Sequence, residues 1–352
     1  MSRKNAVELL PMPLAFSARS ALAVAFLLAG VTAAAAAEDC ASNTPAVSIP
    51  ACTHIIEQAR EPDDKIADAF ANRGKAHVLS NQPDRAIADL DEALRRKPTH
   101  GDARHNRGVV YFQMGRNDKA LADFDEGVRL YPREAETRFM RGRTYHAMGQ
   151  TDRAIADFGA TLNIDPGHVD ALISRGGVYV LQRQFQQAQK DLDEAIRIDP
   201  GNSEAYSNRG SLYLMTSRFP QAIADLDLAI KFDPENGMAL LNRGMSYFFQ
   251  RQYDRAIFDF DRALQLNPQS AHLHVQRGAA YFFKKQPDQA LLDLNEAIRL
   301  DSNSLQAYKL RGGILNGLGR RDEAIADFRK ALAIDPSNES IKKSLRDLGV
   351  TQ

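Results

Sequence analysis

An arginine recurs every 34 residues, at Arg73, Arg107, Arg141, Arg175, Arg209, Arg243, Arg277 and Arg311. Sixteen residues after each stands an aspartate: Asp89, Asp123, Asp157, Asp191, Asp225, Asp259, Asp293 and Asp327. A planar guanidinium and a carboxylate are matched for bidentate pairing, so the two rows support either an internal ladder of ion pairs or a track for anions. A charge repeated in every unit marks no particular site, which favours the ladder. Other reactive constellations are absent. The eight histidines are scattered, and the closest two, His272 and His274, point to different faces of a helix. No metal site is expected there. No phosphate loop, H-E-x-x-H or nucleophile–base motif stands out. The chain reads as a non-enzyme without a cofactor.

The same 34-residue register runs through the elements that must carry these charges. A glycine follows each arginine (Gly74 to Gly312), and twelve residues later comes an alanine: Ala86, Ala120, Ala154, Ala188, Ala222, Ala256, Ala290 and Ala324. Four residues on is a large apolar residue, such as Leu90, Phe124, Leu226 or Phe260. Most units close on a proline, with Ser302 the exception. Within a unit the apolar spacing is helical, as at Ile257, Phe260, Ala263 and Leu264. Each unit therefore predicts two helices, the first carrying Gly and the second carrying Ala and ending before Pro. Glycine inside a helix costs about 1 kcal/mol relative to alanine. Its eightfold use implies close approach of the two helices, expected where Gly faces Ala.

In these small, aromatic, alanine and proline positions at a period of 34, the chain resembles the tetratricopeptide repeat proteins, over residues 67–338. An arginine stands before each Gly where that family usually has an aliphatic residue. The resemblance implies an all-α, right-handed solenoid of eight helix-turn-helix units: 67–100, 101–134, 135–168, 169–202, 203–236, 237–270, 271–304 and 305–338. Stacking of such units buries an apolar core that no unit could bury alone.

The two ends depart from the repeat. Residues 1–37 begin with Arg3, Lys4 and Arg19, continue through an apolar run over 21–31, and reach Ala35-Ala36-Ala37 before Glu38. That layout is a secretory signal peptide, with Met1 or Met12 as its start and an uncleaved inner-membrane anchor as the alternative. Asp39 does not suit lipidation of Cys40. An exported, periplasmic protein of a bacterium is the expectation, meeting a membrane only through an uncleaved leader. Cys40 and Cys52 are the only cysteines, and in an exported chain they read as a disulfide. Their spacing of 12 repeats that from Gly to Ala, which makes residues 38–66 a degenerate capping half-repeat, with 52–59 as its second helix. A redox pair would lack C-x-x-C spacing. Residues 339–352 form the other cap, a helix with Ile341, Leu345 and Leu348 on its apolar face.

Forty-five basic residues balance forty-five acidic ones, without the basic patch that nucleic acid requires. In the tetratricopeptide resemblance, variable positions of the first helices hold a protein or peptide partner in a concave groove. Early units place mixed charge there: Asp68, Lys75, Asp102, His105, Glu136, Arg143 and His146. Later units turn apolar, and Met215, Leu241, Met245, Phe248, Phe249, Phe282 and Phe283 are the candidate contact residues. These Phe pairs either fill a tight inner turn or form an exposed patch that grips a partner. The Asn-plus-basic pattern of a clamp for a C-terminal carboxylate is incomplete. A scaffold binding a peptide or protein in the cell envelope is the reading, with a structural envelope component meeting partners by its ends or convex face as its alternative.

Overall fold

The computed structural model describes residues 33–58 and 60–350. The expected leader over 1–32 and Ala59 lie outside the described residues. The rest is all helical, and the chain divides into two compact units, Met1–Gly149 and Gln150–Gln352. In the first, α1 (Ala33–Cys40), α2 (Pro45–Gln58), α3 (Asp63–Leu79), α4 (Pro83–Arg96), α5 (Gly101–Gln113), α6 (Asn117–Leu130) and α7 (Ala135–Ala147) pack in chain order. The second holds α8 (Thr151–Ile164), α9 (Val169–Leu181), α10 (Phe185–Ile198), α11 (Ser203–Met215), α12 (Phe219–Phe232) and α13 (Gly237–Phe249). It continues with α14 (Tyr253–Leu266), α15 (Ala271–Phe283), α16 (Pro287–Leu300), α17 (Leu305–Gly317), α18 (Arg321–Ile334) and α19 (Glu339–Asp347).

From residue 101 the first helix of every repeat runs 13 residues and the second runs 14, whereas the first helix of the first repeat runs 17, from Asp63. The alanine stripe is buried, as are Ile257, Phe260, Ala263 and Leu264 of α14. Second helices end two residues before the proline position, and the stop does not need the ring. Asp301, which precedes Ser302, is extended at φ −135° like Lys97 before Pro98 at φ −133°.

The glycines answer a closer contact than the sequence suggested. A Cβ on Gly244 would lie 2.6 Å from Cε1 of Phe260, and one on Gly210 would lie 2.6 Å from Cγ of Leu226. Glycine thus faces the large apolar residue sixteen positions on, and not chiefly the alanine. Atoms cannot approach to that distance without displacement, which explains why the helix cost of glycine is accepted.

In the second to seventh repeats the first helix begins on a side chain that caps it. Asn202 and Asn236 accept the N–H of Ala205 and Ala239, and His100 and His168 accept those of Ala103 and Ala171. Second helices have no such side-chain cap. The turn between the two helices ends in a Schellman pairing. In the sixth repeat Arg251 N–H bonds to Phe248 C=O at 2.9 Å and Gln252 N–H to Tyr247 C=O at 2.9 Å. That pairing needs a left-handed residue. Gly115, Gly149 and Gly319 supply it in some repeats and Asn81 in the first, at φ 54°, but Arg183, Ser217, Arg251 and Lys285 do so in the fourth to seventh, at φ between 59° and 65°. A side chain there costs on the order of 1 kcal/mol.

At the N-terminal end the structure extends the expected half-repeat into a helix pair. α2 starts at Pro45, well before Cys52, and α1 runs through 33–37, the stretch read as the end of the leader. Cys40 and Cys52 are joined by a disulfide with Cα atoms 4.7 Å apart, and both are buried beside Ala69 of α3. At the other end Ile341, Leu345 and Leu348 pack against Phe328 and Ala331. No helix among the described residues is long and apolar enough to cross a membrane.

Candidate functional site

The arginine row is consumed internally. Arg243 donates from Nε and Nη2 to both carboxylate oxygens of Asp259 at 2.8 and 2.6 Å, and Arg209 does the same to Asp225 at 2.7 and 2.9 Å. Equivalent pairs join Arg73, Arg107, Arg175, Arg277 and Arg311 to their aspartates. All of these carboxylates are buried. Burial pushes the Asp259 carboxyl up from its ordinary value against the opposing pull of Arg243. The Asp225 hydrogen bonds hold the Arg209 guanidinium above its own. A second aspartate row, missed in the sequence, completes the arrangement. Nη1 of Arg107, Arg209, Arg243 and Arg277 reaches Asp91, Asp193, Asp227 and Asp261 of the preceding repeat at 2.6 to 2.7 Å. Each of these four guanidinium groups therefore ties its own second helix to the one before. The spacing of sixteen backward as well as forward was the signal that would have found it. Histidines join the same network, with His274 Nδ1 lying 2.9 Å from Asp293.

A row of exposed apolar residues in the second unit lies at the turns between first and second helices. Leu181, Met215, Phe249 and Phe283 are the last residues of α9, α11, α13 and α15, at one register, and are 69%, 42%, 53% and 52% exposed. Phe185, Phe219, Tyr253 and Pro287 open the following helices, again at one register. The two rows interlock across repeats. Phe219 stacks on Phe249 at 5.5 Å, and Tyr253 stacks on Phe283 at 6.0 Å. Phe248, half-buried, presents edges to Phe249, Tyr253 and Phe283, and Phe282 meets Phe283 edge-on at 5.4 Å. Offset and edge contacts of this kind favour rigid rings. The result is an aromatic strip whose shape is set before any partner arrives.

The first unit carries a cleft of a different chemistry. A cavity of about 610 Å³ is lined by Asp68, Asp102, His105 and Glu136, among others. His105 Nδ1 lies 2.9 Å from Thr137 Oγ1. Burial holds the His105 imidazole below its ordinary range, against the opposing charges of Glu134, Glu136 and Asp102. Among the described residues no group of three or more His, Cys, Asp or Glu side chains could hold a metal ion.

Tetratricopeptide repeat profiles match residues 72–135, 135–168, 178–237, 238–270 and 276–339, most of the chain. The chain belongs to the tetratricopeptide repeat family. Among solved structures this tetratricopeptide protein is similar to a chain of the APC/C hetero-tetramer Cut9–Hcn1, with a TM-score of 0.63 at 19% identity. The match covers 85% of this chain and 58% of that one, so the chain spans little more than half of that relative's length. It is also similar to PilW, a type IV pilus biogenesis factor, with a TM-score of 0.56 at 21% identity, over 60% of this chain and 98% of that one. PilF of Pseudomonas aeruginosa gives 0.54 at 19%, over 60% and 97%. These likenesses establish the fold. No curated protein matches the sequence significantly.

The residues expected to contact a partner separate within this tetratricopeptide array. Met215, Phe249, Phe282 and Phe283 are exposed. Leu241, Met245 and Phe248 are partly buried and pack against Ile257, Phe260 and Ala256. In the sixth-repeat pair Phe248 thus packs inward and Phe249 faces solvent, whereas both rings of the seventh-repeat pair are exposed. Leu181, Phe185, Phe219 and Tyr253 were not among the expected residues. Comparing last and first helix positions between repeats would have revealed them, because repeats one to three begin their second helices with Pro83, Asn117 and Thr151.

Proposed function

We propose that the chain is a non-catalytic scaffold that binds a peptide segment or partner protein along its first helices, with Phe249, Phe282 and Phe283 as the anchors. Tetratricopeptide repeat proteins act as protein-interaction scaffolds, and the observation that carries this reading is the pre-stacked row of exposed rings. Rigid aromatic side chains lose little conformational entropy on binding, which makes them efficient contact residues. Met215 extends the row, and Leu241, Met245 and Phe248 support it from behind. Residues 1–37 as a leader and the Cys40–Cys52 disulfide support an exported, periplasmic setting, since such bonds persist in oxidising compartments. Affinity capture from periplasm with the full chain and with Phe249→Ser/Phe283→Ser tests this. Partners lost from the variant, with an unchanged helical melt, support the reading; partners retained by it overturn the role of the rings.

One observation favours the alternative of a structural envelope component. Phe258 of α14 and Leu292 of α16 occupy the same register on second helices and are 60% and 70% exposed. Five other repeats place alanine at that position (Ala88, Ala122, Ala156, Ala224 and Ala326). A partner that survives Phe249→Ser/Phe283→Ser but is lost with Phe258→Ala/Leu292→Ala would bind there.

A further inference from the structure

In all four repeats with the apolar strip a side chain, and not glycine, occupies the left-handed turn position, as Asn81 does in the first repeat. Arg183, Ser217, Arg251 and Lys285 stand two residues after Leu181, Met215, Phe249 and Phe283 and two before Phe185, Phe219, Tyr253 and Pro287. Repeats two, three and eight have Gly at this position and lack both rows of rings. Glycine is the unstrained choice for that backbone. Asn81 is of a type that tolerates this backbone, whereas Arg, Ser and Lys are not, and their recurrence in four successive repeats along an exposed strip points to a use for their side chains.

Three of the four residues are basic, and the turns add Arg218, Arg255 and Lys284, all exposed. Against these six stand Asp254 and Asp288, and Asp254 is already paired with Lys284 at 2.6 Å. α10 and α12 also begin here with no side-chain cap and no acidic residue in the first turn, so their positive ends add to the field. The whole chain has no net charge. The excess is therefore local to this edge.

We infer that the turn edge of repeats four to seven is a docking surface for an acidic, apolar segment of a partner protein, which lies across the four turns in extended form. This rests on the reading of the rings as anchors and adds the class of partner. Apolar side chains of the segment pack between Leu181, Met215, Phe249 and Phe283, and its carboxylates meet Arg183, Arg251 and Lys285. First helices of successive repeats lie roughly 10 Å apart, so three steps of about 30 Å are spanned by about ten extended residues. An anionic membrane would satisfy the same charge. It is the less suitable occupant because the exposed rings stack flat on one another across repeats, where a bilayer surface favours side chains free to insert.

The test uses the full oxidised chain and a fluorescein-labelled twelve-residue peptide of Glu interspersed with Leu and Phe, beside an analogue with Gln for every Glu. Binding of the Glu peptide at least tenfold tighter than the Gln peptide, weakening with salt, is expected. Arg183→Gly/Arg251→Gly/Lys285→Gly should lose at least tenfold for the Glu peptide while its melting temperature stays the same or rises, because glycine relieves the turn. Equal affinity for the two peptides, or an unaltered affinity in the glycine variant, overturns the inference and leaves the anchor reading standing. Phe249→Ser/Phe283→Ser should lose both peptides; retention of both overturns the anchor reading itself. Binding to vesicles of phosphatidylglycerol and phosphatidylcholine without binding to the Glu peptide overturns the protein-segment assignment in favour of a membrane.

Discussion

Nη1 of Arg175 lies 3.4 Å from the position a Cβ would take on Gly159, at the point where neighbouring repeats offer this nitrogen a carboxylate. The inter-repeat tie made by Asp193, Asp227 and Asp261 is thus missing its aspartate here. Gly159→Asp should restore it. Relative to Gly159→Asn, which shares its helix propensity, the aspartate is expected to add about 0.5 to 1 kcal/mol. The increment should shrink at high salt. Urea unfolding of the two variants at low and high ionic strength measures it.

The two carboxylates on one guanidinium should differ in weight. Asp225 is buried, whereas the side chain of Asp193 is 46% exposed, and both bond Arg209. Asp225→Ala leaves a mostly buried arginine without its bidentate partner and should cost about 2 to 3 kcal/mol. Asp193→Ala should cost under about 1 kcal/mol. Hydrogen exchange across α11 and α12 is the suitable measurement, since stability in a repeat array is a sum of local terms. Equal protection in the two variants would contradict the ladder.

Acid should weaken the first unit earlier than its carboxylates alone require. Burial lowers the pKa of His105, and that of His100, below the ordinary value of 6.5. The unfolded chain then binds more protons than the folded one, so stability is present above pH 6.5 and is lost as pH falls below it. His105→Gln should flatten the melting temperature between pH 7 and 5. Titration of the His105 ring by NMR should give a midpoint under 6.5.

Reduction should act locally. The Cys40–Cys52 bridge joins α1 to α2 over a separation of 12 residues, and closing a loop of that size stabilises by about 3 kcal/mol. Cys40→Ser/Cys52→Ser is expected to lose exchange protection in α1 and α2. Protection from α9 onward should be unchanged, because each repeat contacts only its neighbours. Global unfolding of the variant would refute the capping role.

Much of this protein was legible without coordinates, for one reason. A solenoid poses the same packing problem in every unit, and the answer is printed eight times: Gly244 and Phe260 restate Gly210 and Leu226. The period of 34 alone carried two helices per repeat, the alanine stripe, the family resemblance and the ladder reading of arginine with aspartate. Tertiary structure decided what repetition does not encode. That glycine yields to the large apolar residue sixteen positions ahead, that Arg107, Arg209, Arg243 and Arg277 also reach back to the preceding repeat, and that Phe248 turns inward while Phe249 faces water all depend on distances between helices. Spacing says which residues share a register. Only the packed helices decide which of two adjacent phenylalanines fills the turn and which is left to a partner, because at a helix end a rotation of about 100° per residue separates core from solvent.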